Sequence, residues 1–463
     1  MKGITVLLVL GLSLVLSFMS LGNELVVGKI IIVGNFITKD KIILRELPFH
    51  PGDTLRKENC AEILKRAHDN LINTSLFNFV TIDTLTPILG RSDLLITVKE
   101  RWYFIPAPVI QDADRNFNSW LLDPTLYRTS YGVVVTDQNF RGMRENLSVT
   151  AMTGYIQQYA LNYTLPFITK EQTHGLGIGI SYTQSHEIFY QTFGNNLEYF
   201  KTDNFNLRKE LGARVTYSYR KGLYNTHYGE IRFVNAEISD TISKLNSNYF
   251  GNGQTHFNSF YLRYAFKRDK RDAQYYPLKG TYFGIDFVKM GIGLSGFESQ
   301  NSAFVAGLWK GYLPLGHRFY GSLMTKGKLG TNDKLPYFSQ RALGFNSDYV
   351  RGYELYVIDG ESFFLEKVEL KYQLIKPATI HFSKINSEKF NTAHYALYLT
   401  LFSDGGYVQD HFNYLGNPLS NKWLMGNGCG LDFVSYYDIV IRAEYSFNNI
   451  GQGGWFLHFF NAF

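Results

Sequence analysis

Beyond Trp102 the chain alternates apolar and polar positions with a period of two. Ile439, Ile441, Ala443, Tyr445 and Phe447 share one face of such a segment, and Asp438, Arg442, Glu444 and Ser446 share the other. Phe364, Val368, Leu370, Tyr372 and Leu374 likewise oppose Glu361, Lys367, Glu369, Lys371 and Gln373, and Phe260, Leu262, Tyr264 and Phe266 oppose Arg263, Lys267 and Asp269. Side chains two residues apart lie on one face of a strand, so the pattern predicts strands. No part of this stretch keeps a helical period for more than about two turns. A soluble sandwich turns its apolar face inward and a membrane barrel turns it outward, and alternation alone fits both. Length separates them. Residues 102–463 accommodate roughly sixteen strands of about ten residues with their loops. Sandwiches seldom pass about ten strands without dividing, and no linker-like segment divides this stretch. Tyr and Phe cluster near the strand ends, as interfacial girdles do. The expected fold is a β membrane protein, an antiparallel transmembrane β-barrel of about sixteen strands.

Residues 25–100 change period in order. An apolar β-branched run at 26–33 ends at Gly34-Asn35 and reads as a strand. Thr38 is placed to cap a short helix through Leu47, and Pro51-Gly52-Asp53 breaks the chain. Cys60, Ile63, Leu64, Ala67 and Leu71 then mark one face of a second helix. Strands at 79–85 and 94–100 close the unit as a hairpin. The order β-α-α-β-β suits any small α+β module. The run Gly34-Asn35, Pro51-Gly52-Asp53, Leu76-Phe77 and Val98-Lys99-Glu100 resembles a POTRA domain, the periplasmic module that precedes certain outer-membrane barrels. The resemblance implies an edge strand that offers unpaired backbone to extended clients. The candidate edge carries Phe79, Val80 and Ile82, and an edge without a client is the alternative.

At the extreme N-terminus Lys2 precedes an apolar stretch at 4–19, and Ser20 and Gly22 offer small residues before Asn23. Residues 1–22 read as a secretory signal peptide, with an uncleaved anchor as the alternative. The expected domains are therefore 1–22, the POTRA-like domain 23–101, and the barrel 102–463 with an inward-folded loop at 331–360. The aromatic share is 16% and the charged share only 19%, which excludes a disordered chain. A net charge of +6 from 46 basic and 40 acidic residues is too balanced to argue for nucleic acid. Cys60 and Cys429 fall in different expected domains and read as two free thiols. The 11 histidines, His394 and His458 among them, show no metal spacing and read as lumen or interface residues. Gly291, Gly293 and Gly296 match a dinucleotide fingerprint but stand in strand-rich sequence with no helix to follow. With no nucleophile elbow or paired carboxylates, neither an enzyme nor a cofactor is expected.

Connections near 140–142, 313–316 and 436–437 are short, and those around 187–203, 241–254, 331–360 and 408–420 are long. In a bacterial barrel short turns face the periplasm and long loops face out. The longest loop holds Val350-Arg351-Gly352-Tyr353, and a later strand holds Phe402-Ser403-Asp404-Gly405-Gly406. Tyr395, Leu397, Leu399 and Leu401 make the lipid face of that strand, so Asp404 shares the lumen face with His394, Tyr398 and Thr400. A carboxylate there wants a cation, and an arginine fork can bind it bidentately. The loop is therefore expected to fold inward and pair Arg351 with Asp404. An Arg on a solvated loop and an unrelated Asp is the alternative.

These two motifs with the terminal aromatic Phe463 resemble the signature of the BamA-type outer-membrane assembly superfamily, also called the bacterial surface antigen family. Asp137-Gln138-Asn139-Phe140-Arg141-Gly142 and Tyr163-Thr164-Leu165-Pro166-Phe167 are similar to its early barrel strands. Strand counting places the first motif after the eleventh strand and the second on the thirteenth, as in that family. A single POTRA-like domain departs from the main insertases, which carry several. The resemblance implies an outer-membrane insertase or translocase in a diderm bacterium. Its partners would be unfolded outer-membrane or secreted clients, outer-membrane lipid, and periplasmic or lipoprotein accessory subunits, with no nucleic acid. A general insertase and a dedicated transporter stay open, and a passive porin or structural barrel is the alternative of another class. A barrel must close its first strand on its last, because unpaired backbone in lipid costs several kcal/mol per group. Pro106 and Pro108 cannot donate to a ladder, and Gly453 and Gly454 loosen the approach to Phe463. A weak lateral seam is expected there, and prolines that sit outside the ladder are the alternative.

Overall fold

The computed structural model describes residues 24–85, 91–112, 118, 129–293, 300–331, 335–385, 391–412, 416–435 and 439–459. The segment read as a signal peptide and Phe463 lie outside the described residues. The chain divides into two compact units, Met1–Arg101 and Trp102–Phe463.

The first unit runs β1 (Glu24–Val33), α1 (Asp40–Leu44), β2 (Thr54–Arg56), α2 (Lys57–Ile72), β3 (Phe77–Thr84) and β4 (Arg91–Glu100). Its sheet has the order β2-β1-β4-β3, with β1 parallel to β4 and the other pairs antiparallel. The short β2 goes beyond the five expected elements. Gly52 takes a positive φ of 96° at the preceding turn, which returns the chain along β1 so that Leu55 faces Leu25. Thr38 does not cap α1, whose N-terminus has no side-chain cap. Instead the backbone N–H groups of Ile37 and Thr38 donate to the buried Glu100 carboxylate, at 3.1 and 2.7 Å, which ties the helix approach to the end of β4. Val27, Ile42, Ile43, Ala67, Leu71, Phe77, Leu94 and Ile96 form the core. Among the described residues β3 is an edge strand, paired on one side by β4. Of its candidate docking residues Val80 is buried in the core, and Phe79 and Ile82 are half-buried.

The second unit is one antiparallel sheet of sixteen strands. They are β5 (Phe104–Asp112), β6 (Thr129–Phe140), β7 (Glu145–Gly154), β8 (Ile156–Leu165) and β9 (His174–Ser185). After the hairpin β10 (Glu187–Phe193) and β11 (Asn196–Lys201) come β12 (Arg208–Lys221), β13 (Asn225–Ile238), helix α3 (Asp240–Leu245), β14 (His256–Asp269), β15 (Gly280–Met290), β16 (Ser302–Gly316) and β17 (Phe319–Gly330). The short pair β18 (Arg341–Leu343) and β19 (Ile358–Asp359) lies inside the longest loop, and β20 (Ser362–His381), β21 (Thr392–Gln409), β22 (Trp423–Ser435), β23 (Val440–Asn448) and β24 (Gly453–Phe459) complete the sheet. Each strand pairs with its neighbour in chain order, the hairpins in the long loops aside. The Val350–Tyr353 motif follows the eleventh strand of this sheet and the Phe402–Gly406 motif lies on the thirteenth.

Burial along the later strands is inverted. On β23 Arg442, Glu444 and Ser446 are buried while Tyr445 and Phe447 are exposed. On β20 Lys367, Glu369 and Lys371 are buried while Val368 and Leu370 are exposed, and on β21 Thr400 and Asp404 are buried while Leu399 and Leu401 are exposed. Exposing that much apolar surface is favourable only where the surroundings are themselves apolar. The unit is a transmembrane β-barrel with a polar lumen. No described helix is long and apolar enough to cross a membrane, so the strands carry the apolar belt.

Candidate functional site

The period of β21 sends Asp404 into the lumen beside Phe402 and Gly406. The loop between β17 and β20 enters the same lumen and buries Val350, Arg351 and Tyr353. Arg351 donates to Asp404 three times: from its backbone N–H at 3.1 Å, from Nε at 2.8 Å and from Nη2 at 2.5 Å. Its Nη1 reaches Glu369 Oε1 on β20 at 2.7 Å, and its guanidinium carbon lies 3.8 Å from the centre of the Phe402 ring. Burial works against the Arg351 charge, and Asp404 and Glu369 outweigh it, so its pKa stands above the ordinary arginine value. Val350 packs with Leu343, Leu365, Val408 and Leu424. Two glycines make room for the loop. A Cβ on Gly426 would occupy the place of the Arg351 carbonyl, and one on Gly406 would come within 2.5 Å of Val350 Cγ2. Gly352 has a φ of 90°, and its carbonyl accepts from Asn448 Nδ2 at 2.7 Å.

The polar faces of the strands carry the rest of the network. Glu369 also accepts from Arg442 Nη1 at 2.8 Å and pairs with Lys371 at 3.1 Å. Arg442 in turn forks onto Asp432, with Nε at 2.6 Å and Nη2 at 2.8 Å. Asp432 accepts from Thr400 at 3.0 Å and from Tyr276 at 2.7 Å. Tyr276 belongs to the connection between β14 and β15, which leaves the opposite end of the sheet from the Arg351 loop. Two connections thus enter from opposite ends and meet on one ion network of Arg351, Arg442 and Lys371 with Asp404, Glu369 and Asp432. Equal numbers of opposite charges let such a network exist out of water. Sequence reading placed Glu369, Lys371 and Arg442 on a polar face but missed their pairing, and missed Asp432 and Tyr276 altogether. For Asp432 the detectable signal was a lone charge between apolar Leu431 and Phe433, and Tyr276 carried no such signal.

The seam residues lie elsewhere on the sheet. Pro106 and Pro108 stand within β5, opposite Val135 and Val133 of β6, and Gly453 and Gly454 begin β24, opposite Phe447 and Ser446. The sheet order ends at β5 on one side and β24 on the other. Tyr103 accepts from the Gln138 N–H, which puts odd-numbered residues of this strand in hydrogen-bonded register with β6. The backbones of the even-numbered residues therefore point to the free edge, and there the two prolines carry no N–H. The Phe104 carbonyl on that edge accepts the Trp102 indole N–H. On the other side the Leu457 N–H of β24 donates to the side chain of Asn118 at 2.7 Å.

Residues 139–435 match the family model described as the Omp85 superfamily domain, and residues 25–101 match a POTRA model described as a surface antigen variable number repeat. No curated protein sequence matches the chain. Among solved structures, the fold is similar to that of BamA from Haemophilus ducreyi lacking POTRA domains 1-3, at 18% identity and a TM-score of 0.52, over 94% of this chain and 83% of that one. It is also similar to CdiB from Acinetobacter baumannii, at 14% identity and a TM-score of 0.52, over 94% of this chain and 73% of that one. CdiB from Escherichia coli aligns at 12% identity with a TM-score of 0.54, over 94% and 75%.

Proposed function

This chain belongs to the Omp85 superfamily, and from that premise we propose that it inserts or translocates β-rich client proteins at the outer membrane of a diderm bacterium. In this reading residues 1–22 direct export, the POTRA unit stands in the periplasm, and the long loops face outward. The observation that carries the reading is the seam. Among the described residues β5 and β24 each pair with one strand, and the free edge of β5 lacks two donors at Pro106 and Pro108. An edge that cannot complete a ladder leaves unpaired backbone at membrane depth, and a client strand can satisfy it better than the barrel satisfies itself. Clients then enter the bilayer by strand pairing, and no nucleotide is consumed. The ion network around Arg351 holds the inward loop while the seam opens. The β3 edge, with Phe79 and Ile82 partly accessible, presents clients beforehand by strand addition.

The test is a set of disulfide pairs scanned between residues 104–110 and 453–459, in a background with Cys60 and Cys429 replaced by Ser. Oxidation should abolish client assembly and reduction should restore it. Full activity with the seam closed would remove the lateral route. Depletion followed by an inventory of outer-membrane and secreted proteins then separates the client classes: loss of many barrels indicates a general insertase, and loss of one secreted protein a dedicated transporter. A passive porin predicts no loss, and the loop packed into the lumen argues against that reading.

A further inference from the structure

Beside the Arg351 network lies a second cluster that it does not use. Glu354 directly follows the Val350–Tyr353 tetrad, Glu444 is on β23 and His458 on β24. His458 Nε2 is 3.1 Å from Glu444 Oε1 and 3.9 Å from Glu354 Oε1, and one ligand atom from each residue lies within 4.8 Å of the others. Both carboxylates are buried, and the histidine side chain is 18% exposed, so the cluster has an opening. Gly352 N–H donates to Glu354 Oε2 at 2.8 Å, which leaves Oε1 turned to the imidazole. Tyr349 stacks on His458 at 5.7 Å between ring centres, with its hydroxyl 3.2 Å from Nδ1. An oriented imidazole with its second nitrogen held by a hydrogen-bonding group is the usual outer arrangement of a metal-binding histidine.

Two buried carboxylates thus converge on one imidazole nitrogen, while Arg351, Arg442 and Lys371 face Asp404, Glu369 and Asp432 in the neighbouring network. Independently, Glu444 Oε2 is buried and has no hydrogen-bond partner among the described residues. We propose that Glu354, Glu444 and His458 form a divalent transition-metal site of the zinc class, which pins the inward loop to the last two strands beside the seam. One nitrogen and two oxygens around an ion at about 2.0–2.2 Å place the donors roughly 3.3–3.5 Å apart, against 3.1 and 3.9 Å from the imidazole to the two carboxylates here, with a fourth position open to water. Calcium fits poorly, because it takes about six to eight oxygens. Ion binding would also move the imidazole proton to Nδ1, where the Tyr349 oxygen accepts it.

The experiment uses untagged full-length protein in detergent, stripped with a chelator and titrated with Zn2+ by calorimetry, with bound metal counted by elemental analysis. Wild type should bind one ion per chain and stay folded on electrophoresis to a higher temperature when loaded. Glu354→Gln and His458→Ala should lose the site, and Tyr349→Phe should bind about 10- to 100-fold more weakly. Each variant is first checked for the folded electrophoretic form. Absence of zinc uptake by wild type, or undiminished uptake by the folded Glu354→Gln and His458→Ala variants, would overturn the site. Equal affinity for Ca2+ would overturn its assignment to the zinc class.

Discussion

β4 of the POTRA unit and β23 of the barrel share a two-residue period and bury opposite residues. In β4 the buried positions include Leu94, Ile96 and Val98, and Thr97 is exposed. In β23 Arg442, Glu444 and Ser446 are buried and Ala443, Tyr445 and Phe447 face out. The backbone solves the same problem in both, since each strand lies between two ladder partners. The difference lies in what surrounds each face. The POTRA sheet sheds water from apolar side chains against α2, so its stability follows buried apolar area. The barrel leaves its apolar face in lipid, where burial adds little, and must neutralise what it encloses. Its interior is therefore held by matched charges, and its specificity comes from which charge meets which.

That contrast can be broken most severely at Arg351. Arg351→Ala leaves Asp404 and part of Glu369 uncompensated, and loss of one partner of a buried pair costs about 3–5 kcal/mol. The variant should unfold at a distinctly lower temperature on heat-dependent electrophoresis and assemble fewer clients. A change below about 1 kcal/mol would mean that the pair behaves as a solvated surface pair. Gly426→Ala should mimic it by excluding the loop, and Arg351→Lys should rescue only in part because the fork is lost. A second comparison places the same change on an exposed position in each unit. Leu401→Arg on the lipid face should cost about 2–4 kcal/mol if it sits near mid-membrane, whereas Thr81→Arg on β3 should stay within about 0.5 kcal/mol. Equal effects in urea titrations of the two would refute the inverted surface. A smaller effect is expected at Gly34, where φ is 93° and a Cβ would meet the Val98 carbonyl. Gly34→Ala should cost about 1–3 kcal/mol, seen as faster proteolysis within residues 24–101 while the barrel keeps its folded mobility.

Much of this was legible in the chain because it is local. Strand period, turn residues and face parity are set by neighbours within a few residues, so the sixteen-stranded sheet and the side on which Asp404 falls could be read directly. Resemblance supplied the link between the Val350–Tyr353 and Phe402–Gly406 motifs, and charge logic made it physical. What escaped was contact between elements that are not adjacent. Arg442 and Glu369 lie on β23 and β20, with two strands between them, and no local pattern announces that they meet. Tyr276 stands in a connection whose inward path only the closed lumen dictates. Thr38 looked like a cap because capping residues have a local signature, and the distant Glu100 took over its backbone instead.

The sequence alone settled the two-residue period, a strand number near sixteen, and the face on which Glu369, Lys371, Asp404, Arg442 and Glu444 fall, since these follow from backbone geometry and the spacing of side chains. Tertiary structure alone decided which cation neutralises which carboxylate, where Glu354, Glu444 and His458 converge, and that the backbone at Pro106 and Pro108 turns to the free edge. Those outcomes depend on the curvature and register of the whole sheet, a property of sixteen strands together that no short stretch of chain encodes.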